Sequence, residues 1–515
     1  MDFGDILRRS AVDHRHRVAA VCEGQRQTYQ EMFARACRLA NALAGLGCQH
    51  GDRVALLGAN ALETVEQVGG IALGGYVRCA LYAHQTPDVN AYLLELVQAR
   101  VLLVDAALYE PLRPALAGLP ALEHVVVYAG GPPAGSGALD YVQLLAAATA
   151  EDPHIACAPD DLHVIRFSAG TTGRPKGIVH TNDAWLRMAD EYRWVTPSLD
   201  DRDVYLAAGQ LTHAAVLWLW PLVRLGGSIV VMPAFDPGEA LRLIEAERVT
   251  VTLVVPTMIQ VMVAHPAAAT RDLSSLRCVN YGASPISETT LARAVALFGD
   301  DVLYQLYGQS EAVPITMLQP HEHDRPRSVG RPTPNTKLTI VDEDGRPLPR
   351  GTVGEIAVST PGAMLEMWRD PEGTAARRLP DGSVLTRDMG YLDEDGFLYL
   401  ADRKEDMIIS GGYNIWPAEL ENAIAAHPAV AEVCVIGVPH EKWGETPKAL
   451  IVPAAGASVD EQEIIDLTRE RVGAVKRVTS VEIVDSLPKS GVGKILRREV
   501  REPYWAGRGA RVGGA

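Results

Sequence analysis

Ser168-Ala169-Gly170-Thr171-Thr172-Gly173-Arg174-Pro175-Lys176-Gly177 follows directly on a strand-like run, His163-Val164-Ile165-Arg166-Phe167. Glycines let several backbone N–H groups converge on one anion without Cβ obstruction. The Ser and Thr hydroxyls add donors, and Lys176 adds a compact positive charge. A strand ending in such a loop reads as a polyphosphate cradle built from Ser168, Gly170, Thr171, Thr172, Gly173 and Lys176. A flexible surface turn shares the composition, but the order of the residues argues against it. The G-x-x-x-x-G-K-[ST] spacing of a Walker loop is absent, so this is a phosphate loop of another type.

The chain has 515 residues, more than one ordinary core accommodates, so two or more domains are expected. Hydrophobic content of 47% and charged content of 22% are those of a soluble globular protein. The net charge of −16 argues against a general nucleic-acid surface. It leaves ATP binding open, because a local loop can be positive in an acidic protein. Met1 to Arg17 carries charges throughout and lacks the apolar centre of a secretory signal. The longest apolar run, Ala214 to Val223, is too short to span a bilayer and contains Pro221. The seven cysteines show no C-x-x-C spacing and read as free thiols. A cytoplasmic protein with no membrane segment is expected.

Texture divides the chain. Tyr29 to Leu46 has helical spacing, and Arg53 to Leu57, Leu102 to Val104, His124 to Tyr128, Ser228 to Met232 and Val251 to Val255 read as buried strands. Such alternation implies an α/β fold with largely parallel sheets. Beyond about residue 335, the short strands Lys337 to Val341, Gly354 to Val358 and Gly396 to Leu400 are separated by Asp-Gly turns and suggest a small β subdomain. A compact α+β unit follows: a helix at Pro417 to Ala426, a strand at Val433 to Gly437 and a helix at Asp460 to Val472. The Gly/Ala/Arg-rich tail, 506–515, is expected to be disordered. His321-Glu322-His323-Asp324 reads as a solvated loop rather than a metal site, and no H-E-x-x-H or Cys/His zinc spacing occurs.

Further motifs follow the phosphate loop: Gly282-Ala283-Ser284, Tyr307-Gly308-Gln309-Ser310-Glu311, Thr386-Arg387-Asp388, the run from Asp402 through Ser410-Gly411-Gly412-Tyr413 to Ile415, and Pro488-Lys489-Ser490-Gly491-Val492-Gly493-Lys494. In this order the set resembles the adenylate-forming superfamily, which includes acyl- and aryl-CoA synthetases, luciferases and peptide-synthetase adenylation domains. The resemblance spans nearly the whole chain. It implies an N-terminal adenylation domain at 1–402 that holds the ATP and acid sites. A hinge at 403–406 and a small mobile C-terminal domain at 407–505 would follow.

The resemblance also assigns roles, and the residue types suit them. The 168–176 loop would cradle the β- and γ-phosphates. Glu311 would coordinate Mg²⁺, since hard cations take carboxylate oxygens. Tyr307 would stack on adenine, with Gly282, Ala283, Ser284 and Gly308 letting backbone approach, and Ser310 keeps the hydroxyl of the usual threonine. Asp388 would accept both ribose hydroxyls, although Arg387 replaces a usual glycine and puts the local backbone in question. Arg403 would reach ribose or phosphate, and Lys494 would bridge the α-phosphate and the acid. His213, in Gln210-Leu211-Thr212-His213-Ala214, would gate the acid pocket or steer the carboxylate, with a core histidine as the alternative. Val216, Leu217, Trp218, Met258, Tyr281 and Gly308 are candidate lining residues, favouring a short or aryl acid. Glu405 occupies the hinge. Gly411, Gly412 and Trp443 would line a pantetheine tunnel and favour CoA as acceptor.

The expected protein is thus an ATP-, Mg²⁺- and CoA-using acid–CoA ligase, a monomer or homodimer. The alternatives are transfer to a carrier-protein phosphopantetheine or to a small nitrogen nucleophile such as an amine or nitrite, and a non-catalytic binding protein with this fold.

Overall fold

The structure is a computed structural model that describes residues 2–506 apart from 84, 169–174, 326, 404–405, 411–412 and 490–494; for 402, 403 and 414 it describes the backbone alone. Two large sheets dominate it. The eight-stranded sheet runs Glu366–Met367, Lys176–Thr181, Leu162–Ser168, Val77–Ala80, Arg53–Leu57, Val101–Asp105, His124–Tyr128, Leu139–Asp140. Its pairings are parallel from Leu162–Ser168 onward. In the nine-stranded sheet, six consecutive strands, from Leu303–Gln309 through Cys278–Gly282, Val251–Val254, Val204–Ala207 and Ser228–Val231 to Val18–Cys22, pair in parallel. Strands buried on both faces must be apolar throughout, which is why Val101-Leu102-Leu103-Val104 is fully enclosed.

The inner faces of both sheets share one core. Leu56 and Val164 from the first sheet meet Ala207 and Ile229 from the second, with Phe3, Leu39, Val68 and Trp185 from helices between them. The helices Pro237–Ala246 and Glu288–Phe298 cover the outer face of the nine-stranded sheet. Pro87–Val97 and Ala106–Leu116 cover that of the eight-stranded one. Such layering brings the C-terminal ends of the parallel strands and their loops to one edge, where ligands bind in open α/β sheets.

The small β subdomain is a four-stranded antiparallel sheet, Lys337–Val341, Gly354–Ser359, Val384–Leu392 and Leu398–Arg403. Its last strand begins two residues later than the sequence suggested, because Gly396 adopts φ +84° inside the turn that Gly396 N–H closes on Asp393 O. The C-terminal unit has its own sheet and core. Val430–His440 and Gly444–Pro453 form a long antiparallel ladder, covered by Pro417–Ala425 and Glu461–Val472. The first of these strands far exceeds the expected Val433 to Gly437, since the ladder continues through Pro439 to the turn.

The His321–Asp324 stretch corrects the sequence reading. Glu322 is buried, accepts from the Gln319 N–H and pairs with Arg331. His323 Nδ1 lies 3.0 Å from Gln319 O, and its Nε2 2.9 Å from the Tyr281 hydroxyl. Satisfied by these partners, both are structural residues rather than solvated ones. All seven cysteines are free, and no helix among the described residues is long and apolar enough to cross a membrane.

Candidate active site

Ser168 closes the Leu162–Ser168 strand and pairs in register with Lys176, the first residue of Lys176–Thr181. The expected phosphate loop is therefore flanked by two antiparallel strands. Its members Gly170, Thr171, Thr172 and Gly173 lie outside the described residues. Lys176 Nζ sits 2.8 Å from Asp370 Oδ2, and this contact, with the Gly373 N–H, holds the Asp370 carboxyl below its usual range. Asp370 also caps the short helix Pro371–Ala375.

The next two motifs converge. Tyr307 and Gln309 lie on Leu303–Gln309, Asp388 on Val384–Leu392, and Glu311 in the turn after Gln309. The Tyr307 hydroxyl donates to Asp388 Oδ2 at 2.7 Å, and Gln309 Nε2 donates to the same oxygen at 2.7 Å and to Thr386 O at 2.9 Å. Arg377 Nη2 donates to Gln309 Oε1 at 3.3 Å and lies 3.1 Å from Glu311 Oε1. One hydrogen-bonded chain thus links the ribose candidate to the metal candidate, with Arg377 standing where a cation would meet Glu311. Tyr307 is 7% exposed, its ring packed with Ile178 and Ala312.

Backbone shape explains the small residues. A Cβ on Gly282 would lie 2.1 Å from Leu306 O, and Ala283 follows at φ +69°. Arg387 keeps φ +63°, the left-handed region that a glycine occupies freely. The substitution at this motif therefore preserves the backbone, and the Arg387 N–H donates to Glu355 Oε1 at 3.2 Å. Ser310 offers its carbonyl to buried His180 Nε2 at 2.8 Å. A Cβ on Gly308 would crowd Val313 Cγ2 at 2.9 Å.

His213 lies beside the buried 3-10 turn Ala214–Trp218. Its Nδ1 is 2.9 Å from Thr212 Oγ1, and its ring packs on Tyr82 at 4.4 Å between centroids. The Tyr82 hydroxyl donates to Phe167 O, which ties the His213 loop to the strand that leads into the phosphate loop. Val216, Leu217 and Trp218 share the inner core with Tyr192 and Tyr205. Tyr281 and Met258 do not join them. Tyr281 packs in the outer core of the nine-stranded sheet, with Met258 against it, because three residues along a strand from Cys278 reverse the face.

These motif residues, in this order and joined by this hydrogen-bonded chain, agree with a family comparison. The description "AMP-binding enzyme" matches residues 7–368, and "AMP-binding enzyme C-terminal domain" matches residues 419–494. The chain belongs to the AMP-binding enzyme family. Its relatives include a medium/long-chain-fatty-acid–CoA ligase, FadD8, of Mycobacterium tuberculosis, 36% identical over 99% of this chain and 91% of that protein. A feruloyl-CoA synthase of an Amycolatopsis species is 36% identical over 95% of this chain and 96% of its own. Among solved structures, the amide bond synthetase McbA of Marinactinospora thermotolerans superposes with a TM-score of 0.88 at 30% identity, covering 98% of this chain and 100% of that one.

In this AMP-binding enzyme, Asp388 and Arg403 are backbone partners across two strands; the Arg403 side chain and Glu405, expected at the hinge, lie outside the described residues. So do Lys494 and Gly411 and Gly412. Their flanks are informative. Lys489 bridges to Ile495, and the Leu496 N–H donates to Pro488 O at 2.8 Å, so the Lys494 loop is closed at its base. Ser410 pairs with both Tyr413 and Gly444, and Gly444 follows Trp443 in the chain. Trp443 is 40% exposed and stacks on His440 at 4.5 Å. Sequence reasoning missed Arg377, Asp370 and Tyr82, none of which carries a spacing signal, and gave Gln309 no role although it quoted the motif.

Proposed function

We propose that this AMP-binding enzyme is an acid–CoA ligase that forms AMP and pyrophosphate. The acid's carboxylate oxygen attacks the α-phosphorus of ATP, the bond to pyrophosphate breaks, and an acyl adenylate results. The CoA thiol, losing its proton, then attacks the acyl carbon, and AMP leaves. The observation that carries the reading is the chain Tyr307–Asp388–Gln309–Arg377–Glu311. It supports the reading because Asp388, a carboxylate suited to vicinal hydroxyls, is joined through Gln309 and Arg377 to Glu311, a carboxylate suited to a cation, at the end of Leu303–Gln309. The likenesses to the FadD8 ligase and the feruloyl-CoA synthase extend over nearly the full chain.

In this reading, Asp388 accepts the ribose hydroxyls and Tyr307 and Gln309 hold it in position. Gly282 to Ser284 let the base approach the backbone. Ser168 to Lys176 bind the leaving pyrophosphate, and Lys494 neutralises the α-phosphate as the acid attacks. Magnesium fits Glu311, whose carboxylate already holds a cationic partner; when bound, it would neutralise charge on the phosphate oxygens. His213, on the Tyr82 ring, orients the acid. We infer that 407–505 turns about 403–406 after adenylation and presents Gly411, Gly412 and Trp443 to the pantetheine arm.

A second reading, transfer to an amine, draws on the likeness to an amide bond synthetase. One panel separates them. Short, aryl and longer acids are scored for pyrophosphate release with CoA, with an amine, and with neither. CoA-dependent thioester with stoichiometric AMP supports the first reading; amide without thioester supports the second; no acid-dependent pyrophosphate removes both.

A further inference from the structure

The inner face of the eight-stranded sheet carries two cations that the chemistry above does not use. Arg78, on Val77–Ala80, is 1% exposed, and all three of its guanidinium nitrogens lack a hydrogen-bond partner. Arg166, on the neighbouring Leu162–Ser168 strand, has a buried Nη1 without a partner. Arg78 stands in register with Val164, so Arg78 and Arg166 rise from the same face. Their guanidinium carbons lie 5.9 and 5.5 Å from the centre of the Trp185 ring.

Among the described residues, neither arginine forms an ion pair. His163 and His180 border them as neutral rings. Burial, then Arg78, hold His163 well below its usual value, and burial, then Arg166, pull His180 down to about 3. Burial and then Arg166 lower Arg78 to about 9, so it stays charged at neutral pH. The buried carboxylates of the body are committed elsewhere: Glu66 to Arg35, Glu191 to Asn335, Glu311 to Arg377. The Trp185 and Trp218 indole nitrogens and the Tyr192 hydroxyl are also unpartnered. His163 Nε2 and His180 Nδ1 are unpartnered too, so among the described residues this part of the interior offers the two guanidinium groups neutral acceptors and no paired carboxylate, an arrangement that buried charges avoid unless a ligand or water completes it.

The two arginines differ in access. Arg78 is sealed, whereas Arg166 keeps part of its surface open. The charged and phenolic groups that act on Arg166 are Tyr82, Tyr192 and Glu311, and Tyr82 carries the His213 ring. Arg166 stands two residues before Ser168 and next to Phe167, whose carbonyl accepts from the Tyr82 hydroxyl, so one short path joins it to the His213 ring and to the strand end at Ser168.

We propose that Arg166, backed by Arg78, recognises a second carboxylate at the far end of the acid, so that the enzyme's substrates are dicarboxylic acids activated at one end only. The proposal deepens the acid–CoA ligase reading and rests on it. A carboxylate meets the planar guanidinium fork in a bidentate geometry and supplies the missing negative charge. Arg78 raises the local potential without touching the ligand. A monocarboxylic acid would leave both cations unpaired, whereas a ketone or phenol would give one neutral acceptor to two charges.

The test uses the full chain and matched acids: butanoate to octanoate against succinate to suberate, and phenylpropanoate with and without a ring carboxyl or hydroxyl. The first readout is the ratio of kcat/KM for diacid over monoacid, from pyrophosphate release. The ratio should exceed unity by about a hundredfold in the wild type and collapse by a similar factor in Arg166→Met, with Arg166→Lys retaining part of it. The second readout is melting temperature. A diacid without ATP should raise that of the wild type and leave that of Arg166→Met unmoved. Arg78→Met should itself melt higher than wild type, since it removes a buried unpaired charge. A ratio near one, a preference for the phenol or ketone, or equal loss on both acid classes in Arg166→Met would overturn the proposal. Monoacid turnover without diacid turnover refutes this inference and leaves the ligase reading standing. A diacid-specific melting shift without any pyrophosphate release refutes the ligase reading instead.

Discussion

Replacing Arg377 with Met should destabilise the protein and at the same time make Glu311 easier for magnesium to reach. The Nη2–Oε1 contact is 3.1 Å, and the two side chains are only 12% and 10% exposed. At that separation and an effective dielectric constant of about 20, two unit charges attract by about 5 kcal/mol, most of which offsets their desolvation. Removing one partner strands the other, which costs about 3–5 kcal/mol in a buried pair; the slight exposure here points to the lower end. Glu311→Gln on top of Arg377→Met removes the stranded charge. The double variant should therefore lose less than the sum of the singles, with a coupling of about 1–3 kcal/mol. Denaturant unfolding of the four proteins measures this, and magnesium titration of pyrophosphate release measures the consequence. Magnesium need no longer compete with Arg377, so the half-saturating concentration should fall several-fold in Arg377→Met and rise in Glu311→Gln. Additive losses together with unchanged titrations would refute the reasoning, because Glu311 would then be neither held by Arg377 nor a ligand of the metal.

Lys494→Ala should slow adenylation by about 10²–10³-fold, or about 3–4 kcal/mol, and spare transfer from a supplied acyl adenylate; equal losses in both half-reactions would point to misfolding. Gly282→Ala should cost about 1–3 kcal/mol, because its Cβ falls 2.1 Å from Leu306 O and one of the two strands must shift; an unchanged melting temperature would contradict that close approach. Glu405→Pro, which fixes φ at the proposed hinge, and Gly411→Leu, which adds bulk on the proposed pantetheine route, should keep adenylate formation and lose thioester formation. Thioester formed at the wild-type rate in either would argue against rotation about 403–406 or against the pantetheine route.

The body of the fold was legible because parallel strands buried on both faces must be apolar. Val101 to Val104 and Val251 to Val254 announce themselves that way, and the Asp-Gly turns announce the antiparallel sheet that follows. Element ends were less so. Val430–His440 runs past the apolar stretch because its hydrogen bonds to Gly444–Pro453, not its side chains, decide where pairing stops. The motif residues Tyr307, Glu311 and Asp388 could be read because each sits in a short patterned segment. Arg377 could not, since its importance lies in Glu311 and Gln309, which are distant along the chain. The Glu322 and His323 partners are equally non-local. Arg78 and Arg166 did leave a trace. Each is the one Lys, Arg, Asp or Glu in its strand, a position where a buried charge must find a partner. That no described residue forms an ion pair with either became visible only when the neighbours were in place.

The most direct measurement of the central claim follows one turnover in two stages. Enzyme, acid and Mg²⁺–ATP are mixed without CoA, and enzyme-bound acyl adenylate and free pyrophosphate are quantified; CoA is then added, and thioester and AMP are quantified. The account predicts pyrophosphate and adenylate in equal amounts in the first stage, and their conversion to thioester and AMP in the second, dependent on CoA. Pyrophosphate release that does not depend on any acid, or an adenylate that persists unchanged when CoA is added, would contradict it.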